Sequence, residues 1–262
     1  MGDEETNPPV LSRSELERYN RQILIPNIGF QGQRRLKSSR VVVVGVGGLG
    51  CPASIYLAAA GVGMITLIDK GRFNLSDLNR QILAGYDDIG RLKVEVARDR
   101  IKELNPDVEV KTLTIEVDRE AFREIVREAD VVVDGLDNWR GRFIVNECCV
   151  MEGKPYIHAG VSGLSGQITT IIPGEGPCLR CIIPRDPPEV DVVPVLGATP
   201  ALLASLQVME AVKLITGFGR PLVGRMLFID GEDMSFESVE VKRNPDCPVC
   251  GKLRGQAKDR NC

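Results

Sequence analysis

Four cysteines stand in two C-x-x-C pairs, Cys178 and Cys181 in "PCLRC" and Cys247 and Cys250 in "NPDCPVCG". Each pair can chelate one ion within a short turn, and four thiolates complete the tetrahedral shell that zinc prefers. All four positions would be filled by protein, so the ion would be structural and would tie the C-terminal tail back onto the body of the chain. A redox-active dithiol is the other reading of the spacing. Cys148 and Cys149 lie in an apolar helical stretch and are expected to pack. Cys51 follows a glycine turn, where a helix N-terminus could activate a thiol, but packing is the preferred reading. Cys262 suggests nothing.

A second chemistry is written in "GVGGLG", where Gly45, Gly47 and Gly50 satisfy G-x-G-x-x-G. Glycines there let backbone amides approach a phosphate, and the following helix N-terminus favours its charge. Asp69, near the end of the next strand, can accept hydrogen bonds from ribose hydroxyls. A tight turn without ligand is the bland alternative, and the motif alone does not choose NAD over ATP. Two cations lean the choice. Arg80 in "NLSDLNRQIL" and Lys93 in "DIGRLKVEVA" follow Asp69. Hydride transfer has no need of converging cations, whereas breaking a phosphoanhydride builds negative charge on pyrophosphate that cations stabilise. Singly, each would read as a solvated surface charge. In "DGLDN", Asp134 and Asp137 sit at the carboxyl end of a strand, where open α/β sheets bind ligands. Asp137 can hold Mg²⁺ on nucleotide phosphates, or cap the next helix.

These residues need elements to position them. The stretch Val41–Asp69 is nearly free of charge, but Gly45, Gly47, Gly48, Gly50 and Pro52 break it, so it is not a membrane span. It reads as a strand (Val41–Val44), a glycine turn, a helix from about Leu49 to Ala60 and a second strand (Met64–Asp69). Helical and strand-like patterns then alternate, predicting an α/β fold with a Rossmann-like, mostly parallel sheet and helices on both faces. The Pro-rich "PRDPPEVDVVPVLGATP" from Pro184 to Pro200 reads as a long loop. A helix "ALLASLQVMEAVKLITG", two antiparallel strands turning at "IDGEDM" and the cysteine-bearing tail follow. The expected organisation is a single domain over 1–262, with an N-terminal helical arm (14–37), a nucleotide-binding core (40–182), a crossover loop (183–200), a C-terminal helix, strands and zinc tail (201–251) and a flexible tail (252–262). The lone His158 is expected to pack near a strand end.

Composition bounds the partners. With 262 residues, 33 basic against 36 acidic and a net charge of −3, the chain asks for neither nucleic acid nor an anionic membrane. Gly2 and Thr6 formally match a myristoylation pattern, but Asp3, Glu4 and Glu5 are acidic and no polybasic patch supports an anchor. A cytoplasmic location is expected.

Taken together, "RYNRQILIP", "GVGGLGCPAS", "LNRQIL", "GRLKVEVA", "DGLDN", "CLRC" and "CPVCG" resemble the MoeB/ThiF/HesA family of adenylyltransferases, from about Leu16 to Gly251. The resemblance implies ATP-dependent adenylation of the C-terminal glycine of a small ubiquitin-like (β-grasp) sulfur carrier or modifier ending in Gly-Gly. It also implies a homodimer, Mg²⁺ and structural Zn²⁺. By position, Gly48 approaches the nucleotide and Asp69 holds the ribose. Ser76, Asp77, Asn79 and Arg80 line the phosphates, Lys93 contacts them, and Asp137 with Asn138 binds metal and nucleotide. Arg21 resembles an arginine contributed across the dimer. Two positions depart from the pattern. Gly71 stands where a second acid is usual, and Asp77 where Asn is usual. No rhodanese-like stretch follows the cysteine tail in this sequence, so sulfur transfer is expected from another protein. A degenerate module that docks a ubiquitin-like protein, and an NAD-dependent dehydrogenase, are the alternatives.

Overall fold

The structure, a computed structural model, describes residues 10–188 and 192–252. Gly2, Thr6, Cys262 and nearly all of the tail expected to be flexible lie outside the described residues.

One sheet organises the chain, built from β1 (Arg40–Val44), β2 (Met64–Ile68), β3 (Glu109–Leu113), β4 (Val131–Asp134), β5 (Tyr156–Ser162), β6 (Ser165–Ile171), β7 (Arg225–Asp230) and β8 (Ser235–Glu240). Its eight strands run in the order β3-β2-β1-β4-β5-β6-β7-β8. Pairings from β3 through β5 are parallel, and those from β5 to β8 antiparallel. The expected α/β class and its antiparallel extension are both present. Chain order reverses at β1, which has β2 on one side and β4 on the other. A crevice therefore opens beyond the carboxyl ends of β1 and β4, where such sheets take ligands.

The helices are α1 (Arg13–Arg18), α2 (Asn20–Ile23), α3 (Gly29–Ser38), α4 (Gly50–Ala60), α5 (Lys93–Leu104), α6 (Arg119–Arg127), α7 (Trp139–Met151), α8 (Leu179–Ile182) and α9 (Ala198–Thr216). The period of the central strands decides which layer each residue joins. Val41 and Val43 pack with α3, α4, α5 and α9 on one face. Val42 and Val44 pack with α6 and α7 on the other. Each valine of β1 is then buried on one side or the other, which is why "VVVV" carries no alternation.

The N-terminal arm is several short helices rather than a single amphipathic one. α1 starts with a capping box between Ser12 and Glu15. Asn105 Nδ2 donates to Tyr19 Oη at 2.8 Å, and Gln22 Nε2 to the Ala60 carbonyl at 3.1 Å, fastening the arm to the ends of α5 and α4. By length and composition α9, with 19 residues of mean hydropathy 1.3, could cross a membrane. Here it is a core helix against α3, α4, β5 and β6. It carries buried Gln207, whose Nε2 donates to the Asp134 and Ile157 carbonyls, and buried Glu210, which accepts from Thr170 Oγ1 and the Leu222 N–H. α9 begins inside the stretch expected to be loop, at Ala198.

Candidate functional site

The glycine turn links β1 to α4 under tight steric limits. Gly45 has φ of +90° and its Cα faces the backbone of Gly135, where a Cβ would meet the Gly135 carbonyl oxygen at 2.5 Å. Only glycine fits both that conformation and that approach. Gly47 is open by comparison, and Gly48 faces Pro200 and the Arg80 side chain. The turn that closes β1 and the turn that closes β4 are thus in backbone contact at the mouth of the crevice.

Asp69, one residue beyond β2, accepts the Val46 N–H on Oδ2 at 2.8 Å and the Gly71 N–H on Oδ1 at 2.6 Å. It is half-buried and aimed, and each oxygen keeps a lone pair for another donor. Gly71 leaves room beside it: a side chain there would crowd Asp69 Oδ1 at 3.0 Å and the Lys93 stem at 3.4 Å.

Arg80 and Lys93 meet on Asp77. Arg80 Nη2 lies 3.3 Å from Asp77 Oδ1, and Lys93 Nζ lies 3.6 Å from Asp77 Oδ2. Arg80 Nη1 also donates to the Ser76 carbonyl at 2.8 Å and to Asn79 Oδ1 at 3.0 Å. Ser76 and Asn79 are exposed and Asp77 is buried. The two cations, separated along the chain, do converge beside the glycine turn. Reading Asp77 only as part of a phosphate-lining segment missed that it is their shared counter-ion.

Asp137 is exposed, next to Asn138. The helix cap falls to Asn138, whose Oδ1 accepts the Gly141 N–H at 2.8 Å. Asp137 is therefore not the N-cap of α7, and among the described residues its one side-chain contact is Asn138 Nδ2 at 3.3 Å. Its side chain is exposed.

Beneath this turn lies a buried network that sequence reading did not find. Asp134, fully buried, accepts from Leu136 N–H (3.0 Å), Tyr156 Oη (2.8 Å) and His158 Nδ1 (2.7 Å). Arg142 Nε stands 3.3 Å from Asp134 Oδ2. Arg142 Nη2 donates to the Leu136 carbonyl at 2.6 Å and its guanidinium lies 5.0 Å from the Trp139 ring centroid. The strand-end carboxylate thus holds the Asp137 turn from within. Burial pushes His158 below its usual pKa, against the opposing carboxylate. His158 packs as expected, with Nε2 unpartnered among the described residues. Only "DGLDN" followed four residues later by Arg142 could have signalled the network.

Arg21 is exposed on α2 and makes no hydrogen bond or ion pair with these groups within the chain. An open cleft of about 540 Å³, lined by Glu116, Val117, Asp118, Arg119, Arg140 and Ile144, extends the same carboxyl edge past β3.

The four cysteines gather at the far side of α7. Their Sγ atoms all lie within 4.8 Å of one another. Cys178 and Cys247 are 3.7 Å apart, Cys181 and Cys250 3.3 Å. A tetrahedral ion with bonds of about 2.3 Å sets sulfurs roughly 3.8 Å apart, so the cluster has the right size. The remaining described thiols are packed. Burial pushes Cys51 up to about 12 and Cys148 up to about 11.

Residues 19–249 match the ThiF family. The SAMP-activating enzyme E1 of Haloferax volcanii is 44% identical over 247 residues, covering 92% of this chain and 91% of that protein. The sulfur carrier protein adenylyltransferase of Thermus thermophilus is 42% identical over 251 residues, with 92% of each chain covered. Among solved structures, E. coli MccB with ATP superposes with a TM-score of 0.78 at 27% identity, over 89% of this chain and 74% of that one.

Proposed function

The chain belongs to the ThiF family and is an adenylyltransferase, and from that premise we propose that it adenylates the C-terminal glycine of a small ubiquitin-like sulfur carrier or modifier ending in Gly-Gly. The products would be the acyl-adenylate and pyrophosphate. The observation that carries this reading is the convergence of Arg80 and Lys93 on one carboxylate beside the glycine turn. A hydride-transferring enzyme has no use for that pair there, and a pure docking module has none either.

The chemistry asks little of acid–base groups. The partner's terminal carboxylate is already an anion at neutral pH, and it attacks the α-phosphate of ATP once two negative groups are brought together. Placement and electrostatic stabilisation supply the rate. In this reading the glycine turn cradles phosphate, Asp69 takes the ribose hydroxyls, and the cleft beside Val117 offers room for the rest of the nucleoside. Asp137, with Asn138 beside it, would hold Mg²⁺, whose chemistry is to neutralise charge on the polyphosphate. The four cysteines would hold Zn²⁺ as a structural ion.

A homodimer fits the surface of the arm. Leu24, Ile25 and Phe30 are exposed together near Arg21. A second copy covering them would deliver Arg21 to its neighbour's crevice. The central test is exchange of labelled pyrophosphate into ATP in the presence of a Gly-Gly-ending partner. Absence of exchange with every such partner tried, in protein that is folded and loaded with metal, would remove the proposal.

A further inference from the structure

Asp77 is held from several sides at the edge of the crevice. Gln81 Nε2 donates to its Oδ1 at 2.7 Å and the Asn74 N–H to its Oδ2 at 3.0 Å. Its side chain is 9% exposed, while its two cation partners Arg80 and Lys93 are 28% and 15% exposed. The carboxylate is thus fixed at the bottom of the site, with the cations above it and closer to solvent. An ionised carboxylate accepts hydrogen bonds and donates none, so Asp77 has nothing to offer a phosphate oxygen directly. Whatever it does for a polyphosphate, it does through Arg80 and Lys93 or through charge.

We propose that Asp77 is a positioning residue and a built-in counter-ion, which holds Arg80 and Lys93 side by side in readiness and selects polyphosphate that arrives with a divalent cation. This rests on the reading of the crevice as an adenylation site. Without the carboxylate, two cations sharing one small volume would repel, and each long side chain would be free to swing into solvent. With it, the pair carries a net charge of one unit rather than two. A metal-free polyphosphate then meets a buried like charge next to its binding cations, whereas the magnesium complex carries less negative charge and meets less repulsion. Charges a few ångströms apart at a partly buried site interact strongly enough to change affinity about tenfold. The same residual repulsion would help pyrophosphate leave once it is formed.

The test is calorimetric titration of the full chain with inorganic pyrophosphate, with and without Mg²⁺, in the wild-type protein and in Asp77→Asn. Asparagine has the same shape and can still accept from Gln81. The expected result is about tenfold tighter binding of metal-free pyrophosphate by Asp77→Asn, with magnesium pyrophosphate changed less than about threefold. Asp77→Glu, which keeps the charge, should stay near the wild-type ratio. Should Asp77→Asn not fold, Asp77→Ser supplies the same neutral comparison. An unchanged ratio of the two affinities, or weaker binding of both forms, would overturn the role of Asp77 while ATP binding by the wild type left the site reading standing. A folded wild-type protein that bound neither ATP nor pyrophosphate would overturn the site reading, and this inference with it.

Discussion

Asp134 Oδ2 lies 2.7 Å from His158 Nδ1, and neither side chain touches solvent. A carboxylate can only accept, so the imidazole carries its proton on Nδ1 and leaves Nε2 bare. The pair sits directly under the turn that presents Asp137, and its protonation state sets how well that turn is held.

Stability should therefore fall on mild acidification. Burial lowers the His158 pKa below 6.5. The unfolded chain then takes up the proton first, so the contribution is complete above about pH 6.5 and shrinks as pH drops towards the folded value. Asp134 acts lower. Burial alone would raise it, but the Arg142 charge and the His158 and Tyr156 bonds bring it below 3.8. Its contribution is present above the unfolded value near 3.9 and is lost only below that. Thermal melting at pH 7.5 and 5.5 should show a drop in the wild type that is smaller in His158→Gln. Equal drops in both proteins would refute this.

Removing Asp134 is a different matter from titrating His158. Asp134→Ala leaves Arg142 buried without its charge partner and should cost about 3–5 kcal/mol. Chemical denaturation measures it, and a loss below about 1 kcal/mol would show that the network is not a structural support.

Charge at the crevice should appear in rate. Arg80→Ala and Asp137→Ala are each expected to lower pyrophosphate exchange by about 10²–10³. Asp137 is exposed and uninvolved in the α7 cap, so Asp137→Ala should melt within a degree or two of wild type. Full exchange in both variants would sink the assignment of these residues.

The cysteine cluster should carry one zinc per chain. Cys247→Ser should lose the ion and, at free zinc 100-fold above its dissociation constant, about 3 kcal/mol of stability. ATP binding should survive, because the cluster lies behind α7 and not in the crevice. Metal analysis finding no zinc in protein purified without chelators would contradict this.

No cysteine of this chain is expected to receive the activated glycine. The loop 183–200 contains none, Cys178 and Cys181 would be occupied by metal, and Cys51 is buried with its thiol pushed up to about 12. Enzyme, ATP, Mg²⁺ and partner run on a non-reducing gel should give no band at the summed mass. A thiol-sensitive band that disappears with one cysteine substitution would be the contrary result.

The layout of the fold was legible because its signals are local. Four β-branched residues, a glycine cluster and an apolar run fix β1, its turn and α4 without reference to anything distant. Lys93 opens α5 as its position in "GRLKVEVA" suggested. The roles that were missed depend on groups far apart in sequence. Asp77 reads as one of several residues in a polar segment until Lys93, arriving from another element, lands beside it. Arg142 reads as a helix surface charge until β5 brings the Ala159 carbonyl to its other side. The cap falling to Asn138 instead of Asp137 turns on a single step of backbone geometry, which no spacing rule resolves.

The crossover loop ends in a feature with a wider reach. Its Gly163-anchored stretch, held by the Pro194 carbonyl at 2.6 Å from the Gly163 N–H, runs on to Gly197, whose Cα rests against the Asn79 carbonyl and the Arg80 backbone. No side chain larger than hydrogen fits that seat. The loop and the segment bearing Arg80 are in consequence one joint, and neither can shift without carrying the other. If the tail of a protein partner lies against the loop while nucleotide lies against Arg80, their affinities are thermodynamically linked. Each ligand must then alter the other's binding by the same factor. A single methyl group, placed by Gly197→Ala, must displace the Asn79–Arg80 backbone, so it should weaken that reciprocity together with nucleotide binding, which titration of the variant with ATP would read.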